Sequence, residues 1–261
     1  MNNQIEDVIV TLTTVPNRLM DIRDNFGTKL GLKTILDQSY LNYKIHFNIP
    51  YKYKLTNEEI IIPDWLIDYQ KQYNNLEIYR TEDYGPITKI LPTINRITNP
   101  NAIIIVVDDD IYYMNGMIES HMEARYKYSN YAIGFAGLSA LDSSCHFCTS
   151  MNKDTTVKIL EGYKSVSYRR DFFDSSINNF INKSWNDDIV LSAYMGYKNI
   201  SKIVISYKNE TNFAPRVESF PVLGHTPIEQ GGCFNFRNSK EYTDVSDEIT
   251  NYWYKCGYLE R

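Results

Sequence analysis

Near the middle of the chain stands Ile103-Ile104-Ile105-Val106-Val107-Asp108-Asp109-Asp110-Ile111-Tyr112-Tyr113. Five consecutive β-branched apolar residues, Ile103 to Val107, carry no helical stripe and are too few to span a membrane, so they are expected to form a strand buried on both faces. Three carboxylates follow without a spacer. Like charges this close repel, and each resists losing its water, so something cationic is expected beside them. A hard divalent ion, Mn²⁺ or Mg²⁺, is the natural candidate, because it takes oxygen ligands and commonly shares them with substrate phosphates.

Upstream, Asp7 to Thr14 reads as a first strand that turns hydroxyl-rich at its carboxyl end, followed by Val15-Pro16-Asn17-Arg18. Ligands collect at the carboxyl ends of strands in open α/β sheets, which makes this end a candidate nucleotide seat. A strand, a Pro turn and a helix start account for the same residues without a ligand. A helix is expected over 19 to 38, with Leu19, Ile22, Phe26, Leu30, Ile35 and Leu36 inward. Tyr43 to Ile49 is a second strand, Asp64 can cap a short helix after Pro63, and Leu76 to Tyr79 is a third strand. Asp83-Tyr84-Gly85-Pro86-Ile87-Thr88-Lys89 then turns into a helix whose N-terminus, with Thr88 and Lys89, would suit a phosphate. This alternation predicts an α/β fold with a mostly parallel sheet and helices on both faces.

Downstream, a helix from Asn115 to Tyr128 turns Met117, Ile118 and Met122 inward, with His121 read as a packed residue on or beside that face. Tyr131 to Leu138 is a strand in which Gly134 and Gly137 admit a close neighbour. Cys145-His146-Phe147-Cys148 has the spacing of a zinc or redox pair, but Cys233 and Cys256 make no second close pair, which favours a flexible loop. Val157 to Leu160 and Ser165 to Tyr168 suggest two short strands around a tight turn at Glu161-Gly162-Tyr163. Trp185-Asn186-Asp187-Asp188 opens a helix that ends at Gly196. Capping by Asn186 or Asp187 explains one carboxylate there and not two, which leaves Asp188 as the candidate to face the site and take a proton. Ile200 to Ser206 is a late strand, and 207 to 238, with little periodicity, is expected to be a lid. Within it His225 is either a metal or diphosphate contact or a loop histidine. Glu241 to Tyr254 is a closing helix.

A chain of 261 residues with net charge −5 suits one α/β domain, 1–206, with a C-terminal loop and helix, 207–261, packed on it. The acidic balance argues against a nucleic-acid partner. Met1 to Asp7 has neither the basic start nor the apolar run of a signal peptide, and no run reaches the roughly 18 apolar residues of a membrane helix. A cytoplasmic protein with no integral membrane segment and reduced cysteines is expected.

The set Thr11-Leu12-Thr13-Thr14-Val15-Pro16-Asn17-Arg18, Asp83 to Lys89, Val107 to Tyr112, Glu161-Gly162-Tyr163 and Asn186 to Ser192 resembles nucleotide-sugar-dependent glycosyltransferases of the GT-A fold, specifically the small type that builds surface polysaccharides or, in some large viruses, virion glycans. The resemblance covers about residues 7 to 206 and implies a Rossmann-like single domain. It further implies that Thr11, Thr13 and Arg18 line the base and ribose pocket, that Lys89 meets the nucleotide, and that Asp108 and Asp110 form an Asp-x-Asp pair. Asp109 stays in play because the triple aspartate leaves the register open. By the same resemblance a Mn²⁺ or Mg²⁺ ion, held mainly by Asp110, would bridge the diphosphate of a UDP-sugar. Gly162 and Tyr163 would lie on the side of a glycan acceptor, and Asp188 or its neighbour Asp187 would be the general base of an inverting transfer. Two other readings stay open. A sugar nucleotidyltransferase also sets carboxylates and metal beside a parallel sheet, although 11 to 18 holds no glycine-rich phosphate loop. A non-catalytic carbohydrate- or metal-binding module would use the aspartates for a structural ion.

Overall fold

The computed structural model describes residues 7–21, 27–139, 147–149, 153–181, 183, 186–205, 219–221 and 250–259. The strands are β1 Val8–Leu12, β2 Tyr43–Pro50, β3 Leu76–Thr81, β4 Ile103–Val106, β5 Ile111–Tyr113, β6 Tyr131–Gly134 and β7 Ala136–Leu138, then β8 Phe147–Thr149, β9 Thr155–Thr156, β10 Ile159–Leu160, β11 Val166–Arg169, β12 Ser201–Val204 and β13 Ser219–Pro221. The helices are α1 Pro16–Leu19, α2 Gly27–Leu36, α3 Asp64–Gln72, α4 Leu91–Arg96, α5 Met117–Lys127 and α6 Asp187–Tyr197.

Eight strands form one sheet in the order β3-β2-β1-β4-β11-β6-β12-β9. The first four are parallel, and β12 is parallel to β6. β11 runs antiparallel between β4 and β6, and β9 runs antiparallel to β12. The expected α/β architecture, a mostly parallel sheet flanked by helices, is therefore present. β4 explains its central place: Ile103, Ile105 and Val107 enter one core with α2, α3 and α5, while Ile104 and Val106 enter a second core with α4 and α6. A strand buried on both faces needs apolar residues at successive positions, which is what its sequence supplies.

Several local expectations are corrected. The helix expected over 19 to 38 is two pieces, α1 and α2, with 22–26 outside the described residues. The buried face of α2 is Thr28, Gly31, Leu32 and Ile35 rather than Leu30 and Leu36, because the helix packs its small and hydroxyl residues against the acidic turn. Pro63 caps α3 without a side-chain bond, and Asp64 lies in its first turn. The two strands around Glu161-Gly162-Tyr163 do not pair with each other. β10 joins a small sheet with β7, β11 joins the central sheet, and a 3₁₀ turn at Gly162–Lys164 makes the switch. Gly137 admits backbone: a Cβ there would lie 2.5 Å from the Ile159 carbonyl oxygen. Of the segment expected as a lid, the described part is β13, which pairs antiparallel with β5 just beyond the aspartates. Of the closing helix, 250–255 is described. Among the described residues no helix is long and apolar enough to cross a membrane.

Candidate active site

The acidic turn leaves the carboxyl end of β4 and separates its three side chains. Asp109 points inward, its side chain 2% exposed, while Asp108 and Asp110 remain 28% and 17% exposed. The turn puts the middle carboxylate under, where hydroxyls and a guanidinium meet it, and leaves its neighbours partly exposed. Asp109 accepts hydrogen bonds from Thr14 Oγ1 at 2.5 Å and Thr28 Oγ1 at 2.6 Å. Arg18 forks across the turn, pairing with Asp109 at 2.8 Å and with Asp110 at 2.8 Å. Burial pushes the Asp109 carboxyl up and Arg18 opposes it, with Asp110 adding to the rise. α2 is pressed onto this turn: a Cβ on Gly31 would lie 2.1 Å from the Asp109 carbonyl oxygen, and Thr34 Oγ1 accepts the Tyr113 N–H at 3.1 Å. Asp109, expected among the donor contacts, is thus an internal anchor in this arrangement.

Lys89 is the second hub. Its Nζ lies 2.5 Å from Asp108 and 2.9 Å from Asp187, and both Lys89 and Asp187 are buried. Burial opposes the charge on Lys89, but Asp108, Asp187 and Asp188 outweigh it and hold the amine well above the usual lysine range. The segment expected as a phosphate-binding helix start is a five-residue 3₁₀ turn, Gly85–Lys89. Asp83 Oδ1 accepts the Gly85 N–H at 2.7 Å and the Thr88 hydroxyl accepts the Tyr84 N–H at 2.8 Å, so buried Thr88 closes the turn rather than facing a phosphate. Thr11 is 0% exposed. Its hydroxyl donates to the Lys89 carbonyl at 2.5 Å within a network that includes Asn48 and Thr93. It supports the Lys89 turn from below rather than lining a pocket. Thr13, half-buried at the end of β1, donates to the Asn48 carbonyl at 2.8 Å.

The third component is the start of α6. Asn186 caps it, its side chain accepting the Ile189 N–H at 3.2 Å, and this frees both aspartates from capping. Asp187 turns in to Lys89, whereas half-buried Asp188 accepts the Gly162 N–H at 2.8 Å. Burial pushes the Asp188 carboxyl up to about 8, helped by the charges of Asp187 and Asp108 against Lys89 and the Gly162 N–H. Gly162, expected on the acceptor side, serves here as the donor that orients Asp188. The Tyr163 carbonyl accepts from Tyr113 Oη at 2.9 Å, and that oxygen accepts the Asp108 N–H at 2.8 Å. Thr28 and Gly31 are site-building residues that sequence reasoning missed, and nothing local marked them. Thr14, Asp83 and Tyr113 stood inside the quoted motifs but were given no role of their own. His225, Cys145 and His146 lie outside the described residues, as do the side chains of β8 with Cys148.

Arg18 and Lys89 therefore supply the cationic partners that the triple aspartate demanded. Among the described residues no group of three or more His, Cys, Asp or Glu side chains is arranged to hold a metal by itself. The donor set still suits a hard cation that arrives with ligands of its own. Asp108 and Asp110 both stay partly exposed, and one Asp110 oxygen accepts no bond among the described residues. Among the described residues Asp108, Asp109, Asp110 and Asp187 pair with Arg18 and Lys89, and oxygen donors of this kind suit a hard divalent ion.

No protein-family model matches the chain, and no curated protein does. Among solved structures, S. aureus TarS 1-349 is similar with a TM-score of 0.47 and 11% identity over 75% of this chain and 57% of that one. TarS 1-349 in complex with UDP-GlcNAc is similar with a TM-score of 0.48 and 14% identity over 75% of this chain and 55% of that one. The chain thus spans just over half the length of these truncated proteins, and 35% of the longer S. aureus TarS structure.

Proposed function

We propose that the protein is a metal-dependent, inverting glycosyltransferase that moves a sugar from a nucleotide-diphosphate donor, a UDP-sugar first, to a hydroxyl of a glycan acceptor. One observation carries this reading. A half-buried carboxylate with a raised pKa, Asp188, is aimed by a backbone N–H and lies near Asp108 of the acidic turn at the carboxyl end of β4. Asp188 is the general base. As the acceptor oxygen bonds to the anomeric carbon, its proton passes to the Asp188 carboxylate, the bond from that carbon to the diphosphate breaks, and the electron pair leaves with the nucleotide. Asp187 keeps Lys89 charged and in place, Arg18 holds Asp110, and Thr13 remains a donor-side contact at the end of β1. Asp108 and Asp110 would hold a Mn²⁺ or Mg²⁺ ion, which supplies charge neutralisation at the departing diphosphate. A cytoplasmic location is part of this proposal.

The test is calorimetric titration of the full chain with UDP, with and without Mn²⁺, repeated on Asp110→Ala, followed by screening UDP-sugars for hydrolysis and transfer. Binding that needs the ion and disappears in the variant is the expected result. Turnover of a sugar phosphate and a nucleoside triphosphate, with pyrophosphate released, would replace the reading with nucleotidyl transfer. Ion retained without nucleotide, and no turnover, would replace it with a binding module.

A further inference from the structure

α5 buries a histidine that none of the chemistry above uses. His121 is 0% exposed, its ring lies 4.5 Å from the Phe135 ring, and its Nε2 is 2.8 Å from Ser165 Oγ. Its Nδ1 is buried and makes no hydrogen bond among the described residues. A leucine would fill such a space without stranding a polar atom, so packing alone does not account for a histidine here. Burial, with Arg125 nearby, holds its pKa down at about 3, so the ring is neutral and contributes a hydrogen bond rather than a charge.

The partner is the unusual residue. Ser165 is 0% exposed and has φ 72° and ψ 141°, a region that glycine alone occupies with ease. It ends the 3₁₀ turn Gly162–Lys164, and its N–H donates to the Gly162 carbonyl at 2.9 Å. On one side of this turn Leu160 is fixed opposite Gly137 in the small sheet; on the other, Val166 is fixed between Val106 and Gly134 in the central sheet. The whole change of sheet is made within 161–165, and the conformation of Ser165 sets the direction in which the turn lies. That direction points the Gly162 N–H at Asp188, 2.8 Å away. A Cβ on Gly162 would itself come within 3.0 Å of the Asp188 oxygen, so the approach has no slack.

We propose that His121 is a positioning residue for Asp188: by bonding Ser165 it holds the left-handed turn that aims the Gly162 N–H at the Asp188 carboxylate. The kinetic part of its test rests on the function proposed above; the structural part does not.

The test uses conformation to separate positioning from packing. Ser165→Ala and Ser165→Gly both remove the hydroxyl, but glycine alone adopts the required φ without help. In the full chain, amide hydrogen exchange at Gly162 is expected to quicken by about tenfold or more in Ser165→Ala and in His121→Leu, the scale of one strained residue. It is expected to stay near wild type in Ser165→Gly and to be restored in His121→Leu/Ser165→Gly. In sugar transfer, kcat is expected to follow the same pattern while the donor KM stays constant. Equal exchange in Ser165→Ala and Ser165→Gly would overturn the proposal, as would a His121→Leu defect that Ser165→Gly leaves unrepaired. The two Ser165 variants decide the matter even where His121→Leu does not fold. The exchange pattern without any sugar transfer in the wild type would support the positioning role and remove the proposed function instead.

Discussion

At Asp188 desolvation and two neighbouring carboxylates favour the protonated form, while Lys89 and the Gly162 N–H favour the charged one; the first group prevails. A base must be ionised to act, so kcat/KM for transfer is expected to rise with pH and level off above about 8, far above an ordinary aspartate. Asp188→Asn is expected to lower kcat by about 10²–10⁴. The same shift has a stability consequence. A pKa raised above its unfolded value of 3.8 means the folded chain binds the proton more tightly, so this contribution is whole below that value and is lost as pH rises through about 8. Thermal melts of wild type and Asp188→Asn should therefore coincide near the lower value and separate upward, with the variant the more stable at the alkaline end. Lys89 makes the opposite case. Lys89→Met leaves Asp187 buried without the amine, which is expected to cost about 3–5 kcal/mol by urea unfolding. A gentle loss of a few tenths would show that Asp187 reaches water or another cation.

The elements around the site are held by close approach as much as by bonds. α2 meets the acidic turn through Gly31, where a side chain has no room, and through Thr28 and Thr34 on the same face. Gly31→Ala must push α2 and the Asp109 backbone apart. The expected loss is about 1–3 kcal/mol by urea unfolding, the usual cost of overpacking, together with weaker UDP and Mn²⁺ binding by calorimetry. Binding at wild-type strength would show that the turn keeps its shape without α2. α6 holds its two aspartates apart by a different device: the Asn186 cap satisfies the helix end, so Asp187 and Asp188 are free to take separate partners.

Over the whole molecule the site lies where β1, β4, the 162–164 turn and α6 converge, and two apolar cores on opposite faces of the sheet fix these parts relative to one another. The second core includes a late contribution. Phe180 packs 5.4 Å from Tyr194 and 5.6 Å from Trp253, joining the helical segment 250–255 to α6. A Cβ on Gly196 would lie 1.5 Å from the Tyr258 carbonyl oxygen. Gly196→Ala is therefore expected to dislodge 250–259, seen as a red shift in the emission of buried Trp253 and faster proteolysis at the C-terminus. Unchanged emission and cleavage would show that the tail is not what shields this end of α6.

Much of the architecture was written in local pattern. The run Ile103 to Val107 is apolar at successive positions, so it had to be a strand covered on both faces, and the alternation before it had to yield parallel pairing. The acidic triplet and the paired aspartates at 187 and 188 pointed to the candidate site, and the structure brings them around Lys89 and Arg18. Their division of labour was not written there. Arg18 reaches Asp110 across 92 positions, Thr28 reaches Asp109 across 81 and Gly162 reaches Asp188 across 26. Composition and periodicity report on neighbours a few residues apart. Only packing decides which carboxylate goes under, which meets an amine and which faces solvent, since each choice depends on donors that the folded sheet alone brings within 3 Å.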